Sequence, residues 1–173
     1  PIGNVGTMSN SGVELDLSYR DTYGDFSWNI SANATYTKNV LTELGDDATS
    51  LYGSSHKIGQ LTRGVVGLPF PYFYGHKADG IFQNAEEVAA HVNADGAPLQ
   101  PNAAPGDVRF VDIDKDGDID DDDRTYIGKG TPDWSFGLNI GFEWKGIDFS
   151  MLLQGVVGNQ AFNVTRRTDL YYI

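Results

Sequence analysis

The sequence predicts an all-β protein: two antiparallel hairpins of long strands, parted by a large excursion that holds one short helix and an acidic loop. Three observations lead there. Apolar and polar residues alternate with period two through four separate runs, turn residues sit between the runs of each pair, and about 90 residues rich in proline and glycine part the two pairs.

In the first hairpin, residues 12–41, Val13, Leu15, Leu17 and Tyr19 alternate with Glu14, Asp16, Ser18 and Arg20. The segment DTYGD, centred on Gly24, reads as a turn. Beyond it Phe26, Trp28, Ile30, Ala32, Ala34 and Tyr36 alternate with Ser27, Asn29, Ser31, Asn33 and Thr35. The excursion covers residues 42–132. Within it NAEEVAAHV reads as a short helix, with Asn84 as N-cap and Glu87 three residues later completing a capping box. The remainder is turn-rich, and so long an excursion inside a compact domain usually carries function. In the second hairpin, residues 133–157, Trp134, Phe136, Leu138, Ile140, Phe142 and Trp144 alternate with small or polar residues. Lys145–Gly146 then turns the chain into Ile147, Phe149, Met151 and Leu153 against Asp148, Ser150 and Gln154.

Two architectures share this pattern. In a soluble β-sandwich the apolar faces point inward; in an outer-membrane barrel they point to lipid and the polar faces to a wet lumen. A barrel strand needs about 9–11 residues, whereas globular strands average about 5–6. The runs Phe26–Tyr36 and Trp134–Trp144 fit the longer class, and aromatics stand at both ends of each, as interfacial girdles do. Short turns set against one very long loop repeat the asymmetry of such barrels.

Composition narrows the function. The chain has 24 acidic and 12 basic residues, a formal net charge of −12, which argues against nucleic acid and against anionic headgroups as partners. There is no cysteine, so disulfides and thiolate metal sites are excluded. No apolar run approaches the roughly 18 residues of a membrane helix, a test to which barrel strands are blind. The chain starts at Pro1 and ends in RTDLYYI, and both ends read as cuts in something longer.

The acidity is local, for residues 112–123 hold Asp112, Asp114, Asp116, Asp118 and Asp120 to Asp123. This stretch follows the calcium-loop form D-x-[DN]-x-[DN]-G-x5-E. Asp112, Asp114 and Asp116 take positions 1, 3 and 5, Gly117 the sharp turn at 6, Asp118 the backbone carbonyl at 7 and Ile119 the apolar anchor at 8. Asp120 stands at 9, next to a water. Asp123 replaces the usual glutamate at 12, a shorter reach. Hard oxygen ligands in that number suit Ca²⁺ better than Mg²⁺. A solvated acidic turn is the alternative. No helical pattern flanks the stretch, so it reads as a calcium loop outside an EF-hand.

Three separated motifs resemble the SusC/RagA family of TonB-dependent outer-membrane transporters. They are NVGTMSNSGVELDLSYR at 4–20, FPYFYGHKADGIFQNAEEV at 70–88, and the long stretch from PGDVRFVDIDKDGDIDDDDRTYIGKGTPDW to LLQGVVGNQAFN at 105–163. The resemblance implies a transmembrane antiparallel barrel of about 22 strands, of which this chain would supply four. Residues 42–132 would then be an extracellular loop region. It also implies a plug domain and a TonB-contacting segment outside these 173 residues, and a place in the outer membrane of a Gram-negative cell. A SusD-type surface lipoprotein would cap the barrel and capture an oligosaccharide or oligopeptide, and TonB would pull on the plug. Lipid would surround the wall. The cluster Phe70, Tyr72, Phe73 and Tyr74 would either stack on ligand or lid, or pack the loop together. Ca²⁺ at Asp112, Asp114, Asp116, Asp118 and Asp123 would be structural.

The competing reading is a soluble secreted calcium-dependent carbohydrate-binding β module. An enzyme has little support: His56, His76 and His91 show no ligand spacing and no nucleophile motif beside them. Whether the apolar stripes pack on each other or point outward separates the module from the barrel wall.

Overall fold

The structure, a computed structural model, describes residues 6–45, 48–55 and 59–163; His56 lies outside the described residues. In chain order the elements are β1 (Gly6–Tyr23), β2 (Phe26–Leu44), β3 (Leu51–Ser55), β4 (Gly59–Gly64), β5 (Tyr72–His76), β6 (Ala78–Ile81), α1 (Ala85–Ala90), β7 (Val108–Phe110), a one-turn 3-10 helix (Asp121–Asp123), β8 (Arg124–Lys129), β9 (Trp134–Trp144) and β10 (Ile147–Val157). They fall into two compact units. One comprises Pro1–Leu51, Gly64–Pro71 and Lys129–Ile173; the other comprises Tyr52–Arg63 and Tyr72–Gly128.

The first unit is a four-stranded sheet in the order β1-β2-β9-β10, all neighbours antiparallel. Strands β1 and β2 run 18 and 19 residues, well past both ends of the expected 12–41. Only Gly24 and Asp25 remain of the expected DTYGD turn, because Asp21 to Tyr23 continue the ladder. Gly24 takes a φ of +60°, and Lys145 and Gly146 take +49° and +83°. Left-handed residues give a two-residue turn the twist that the flanking strands need.

Register turns four alternating runs into one face. Val13, Tyr36, Trp134 and Val157 form one row, and Tyr19, Ile30, Ile140 and Met151 another. Nearest the turns stand Tyr23, Phe26, Trp144 and Ile147. A slip of one residue in any strand would send its apolar set to the opposite side, so the pairing is tightly specified. Rings meet along the rows, with Tyr36 on Trp134 at 5.1 Å and Phe142 stacked on Phe149 at 5.1 Å. The face is nonetheless open: Leu15 is 55% exposed, Phe136 49% and Leu153 52%. The stripes point outward and do not pack against each other.

The opposite face is mostly polar, with charged residues among serines, asparagines and glycines. Asp16, Asn33, Gly137 and Gln154 share a row, as do Arg20, Asn29, Gly141 and Ser150. The side chains of Asn33 and Asn29 lie 3.1 and 2.7 Å from where a Cβ on Gly137 or Gly141 would stand, so each asparagine occupies the space its glycine leaves. Leu152 and Val156 break the pattern by standing on this side.

Beyond the Tyr36 row, β2 carries on to Leu44, and Gly64–Pro71 folds over it. Leu41 exchanges backbone hydrogen bonds with this segment, its N–H donating to Leu68 (2.9 Å) and its carbonyl accepting from Gly67 (2.8 Å). Leu41 is thereby buried. Asn39 accepts from the Phe70 N–H at 2.7 Å and donates to Asn10 at 2.7 Å.

The second unit holds the sheets β3-β4-β5-β8 and β6-β7. Its buried anchors are Tyr72, packed on Tyr126 at 5.3 Å, and Phe82, set against His91 at 5.4 Å. Asn84 caps α1 by accepting from the Glu87 N–H. The Glu87 carboxylate reaches back to the N–H of Gln83, one residue before the cap, in place of the reciprocal bond a capping box would make.

The chain alone in water should not behave as a monodisperse monomer. β1 and β10 are unpaired sheet edges next to an exposed apolar face, and both drive association. Size-exclusion with light scattering, with and without detergent, checks this. A monomer unfolding cooperatively in plain buffer would contradict it.

Candidate functional site

The acidic loop folds around its own backbone. The Asp112 carboxylate accepts from the N–H of Lys115 (2.6 Å) and of Gly117 (3.0 Å), Asp114 from Asp116 (3.2 Å) and Asp116 from Asp118 (3.0 Å). This winding brings Asp112, Asp114 and Asp116 together, with one oxygen from each within 4.8 Å of the others. Gly117 turns the chain at a φ of +96°. Its glycine is required twice over, because Asn93 fills the place of a Cβ at 2.9 Å while donating to the Gly117 carbonyl at 3.1 Å. Nothing in the sequence ties Asn93 to a loop so far along the chain.

Asp123 is placed differently. It is 1% exposed, one oxygen accepting from the Ile113 N–H (2.5 Å) and the other from the Asp120 N–H (2.9 Å). It therefore joins the start of the loop to its end, outside the group of three convergent carboxylates. Burial pushes its carboxyl up, but the N–H groups of Asp120, Ile113 and Asp114, helped by nearby His76, hold it below the ordinary carboxylate value. Asp114 goes the other way. The Asp116 N–H pulls it down, yet slight desolvation and the charges of Asp116, Asp123 and Asp112 together raise it. The convergent carboxylates thus repel one another, which a cation would relieve. Asp118 accepts from the Ile119 N–H at 2.8 Å, and Asp120 caps the 3-10 helix through the Asp122 N–H at 2.8 Å. The Asp121 side chain is 92% exposed, 3.7 Å from Arg124.

The aromatic cluster is spread out. Phe70, joined to Pro71 by a cis peptide bond, lays its ring against Gly64 in the first unit. Tyr72, 3% exposed, has no ring face left for a ligand. Tyr74 lies beside Tyr52 with the guanidinium carbons of Arg63 and Arg124 at 4.9 and 4.7 Å from its centroid. Phe73 is half-buried, opposite Thr62 in the ladder. Burial of Tyr72 removes it from the set of ligand-stacking rings. A groove of about 800 Å³ borders the acidic loop, lined among others by His76, Gln100, Phe110 and Ile119.

No family model matches the chain. It is 31% identical over 168 residues to a TonB-dependent receptor of Formosa agariphila, an alignment covering 95% of this chain and 16% of that protein. Against the TonB-dependent receptor SusC of Bacteroides thetaiotaomicron it is 28% identical over 162 residues, covering 92% and 15%. The solved RagAB peptide importer in its closed-closed state aligns with a TM-score of 0.61 and 25% identity, over 90% of this chain and 16% of that one. The chain therefore spans about a sixth of the length of the relatives it matches.

Proposed function

We propose, for a chain that resembles TonB-dependent receptors of the SusC/RagA type along nearly its whole length, that it forms four strands of an outer-membrane barrel wall and one large external loop region. One observation carries this reading: the alternating apolar positions of all four strands, Leu152 and Val156 apart, fall on a single exposed face. Its height is right for a membrane. From the Phe26 row to the Tyr36 row the strand advances ten residues. At about 3.4 Å each and a tilt of about 40° these span about 26 Å, close to the roughly 25 Å apolar band of such barrels.

The intact protein imports oligosaccharides or oligopeptides across the outer membrane, driven through TonB, with a SusD-type lipoprotein as its lid. Support comes from the names of the relatives, SusC and the RagAB peptide importer. The test is fractionation of the intact, tagged protein. It should sediment with outer membranes and bring down a surface lipoprotein, and uptake of its ligand should stop without TonB. Recovery from the soluble secreted fraction would overturn the reading.

Within the loop region, Ca²⁺ fits the residues present. Asp112, Asp114 and Asp116 would hold it, with the Asp118 carbonyl and a water near Asp120. Asp123, outside the convergent three and already accepting from the Ile113 and Asp120 N–H groups, would be the fourth side chain, turning a remaining lone pair to the metal. The ion would cancel carboxylate repulsion and fix a loop with little apolar core. Calorimetric titration of the intact protein should show binding heat that Asp112→Ala abolishes and Asp121→Ala only weakens. Parental heat from both variants would leave a solvated loop.

A further inference from the structure

Because β1 continues through Tyr23, Asp21 lands on the apolar face of the sheet. It shares a row with Trp28, Phe142 and Phe149 and stands between Tyr19 and Tyr23 on its own strand. From the Val13 row to the Tyr23 row it is the one charged residue on that face. It is exposed, and no lysine, arginine or histidine among the described residues pairs with it. The carboxylate is held in place all the same. One oxygen accepts from the Tyr19 hydroxyl at 3.2 Å and the other from the Thr22 N–H at 2.7 Å. The Tyr19 ring in turn rests on Trp28 at 5.2 Å.

An ionisable group on a lipid-facing strand calls for a function and a partner. One row from the end of the strand an acid is tolerated, since the penalty there falls to about 0–1 kcal/mol. What it attracts follows from its surroundings. A carboxylate favours a cation, and so do the faces of the aromatic rings beside it. At headgroup depth, where this row would lie, the cation to hand is a lipid ammonium group. We propose that Asp21, with Tyr19 and Trp28, forms a headgroup site for a phospholipid bearing a primary ammonium, at the short-turn end of the wall. This rests on reading the apolar face as lipid-facing. Headgroups without an ammonium are disfavoured there by the same carboxylate.

The experiment uses the intact protein, purified in detergent and offered equal amounts of phosphatidylethanolamine and phosphatidylglycerol, with retained lipid counted by native mass spectrometry. The wild type should retain phosphatidylethanolamine in preference, and Asp21→Asn should lower that preference by about two- to five-fold, the worth of an exposed ion pair. Asp21→Glu should keep it, and so should Glu14→Gln on the polar face. An unchanged preference in Asp21→Asn overturns the site. So does a loss of thermal stability in Asp21→Asn that is equal in both lipids, which would make a basic residue of an adjoining strand the partner. Retention of neither lipid by wild type or variants would remove the lipid-facing reading as well, whereas loss confined to the preference leaves that reading standing.

Discussion

Arginine at Ile30 should destabilise the intact protein by about 2–4 kcal/mol, and arginine at the adjacent Asn29 by far less. Ile30 lies near the middle between the Phe26 and Tyr36 rows, sharing its own with Tyr19, Ile140 and Met151. In a membrane that is the depth at which a guanidinium has neither water nor headgroup within easy reach. Asn29 is one residue away and on the opposite face, over Gly141, where a longer side chain extends into polar surroundings. The measurement is urea unfolding of both variants in lipid vesicles, with the outer-membrane level of each in cells as a second readout. Since the two substitutions add the same charge to neighbouring positions of one strand, their difference isolates the face. Equal tolerance at both would remove the barrel wall.

The second large effect belongs to Asp123. Replacing it with alanine strands two backbone N–H groups, those of Ile113 and Asp120, in a place that water reaches poorly. Each unsatisfied donor costs about 1–3 kcal/mol, so the loop should lose about 2–6 kcal/mol of local stability. Amide exchange at Ile113 and Asp120 should speed up accordingly, with calcium absent throughout. Asp123→Asn keeps one acceptor and should fall between. Asp121→Ala, at an exposed position, should stay within about 0.5 kcal/mol of the parent. Unaltered exchange in Asp123→Ala would mean that the loop closes by some other contact.

These two residues also mark how far the sequence could be read. Ile30 was assignable because period two is a local signal, sustained over a whole strand, and pairing only aligns what each strand already shows. Asp21 was not, because an aspartate three residues before Gly24 belongs as well to a turn as to a strand, and only the ladder to Trp28 decides. The spacing of Asp112, Asp114, Asp116 and Gly117 was legible for the same local reason. The burial of Asp123 was not, since it depends on Ile113 and Asp120 both turning their N–H groups inward. Asn93 beneath Gly117 was further out of reach, being a contact between distant segments. Among the aromatics, FPYFY looks uniform in sequence, yet Tyr72 is buried while its neighbours are only partly so, a difference fixed by the Tyr126 ring of β8.

The asparagine-over-glycine shingling of the polar face bears on friction. A body sliding along a surface is slowed by the depth of the wells it must leave, and a few strong wells retard it more than many shallow ones. Where Asn29 and Asn33 fold down onto Gly141 and Gly137, the surface is low in relief, in contrast to the charged Asp16 and Arg20 of the same rows. In the proposed barrel wall such a patch would face the lumen, where it would offer a passing solute few strong holds. Lengthening Gly137 or Gly141 would lift an asparagine off its seat and raise a step in that patch.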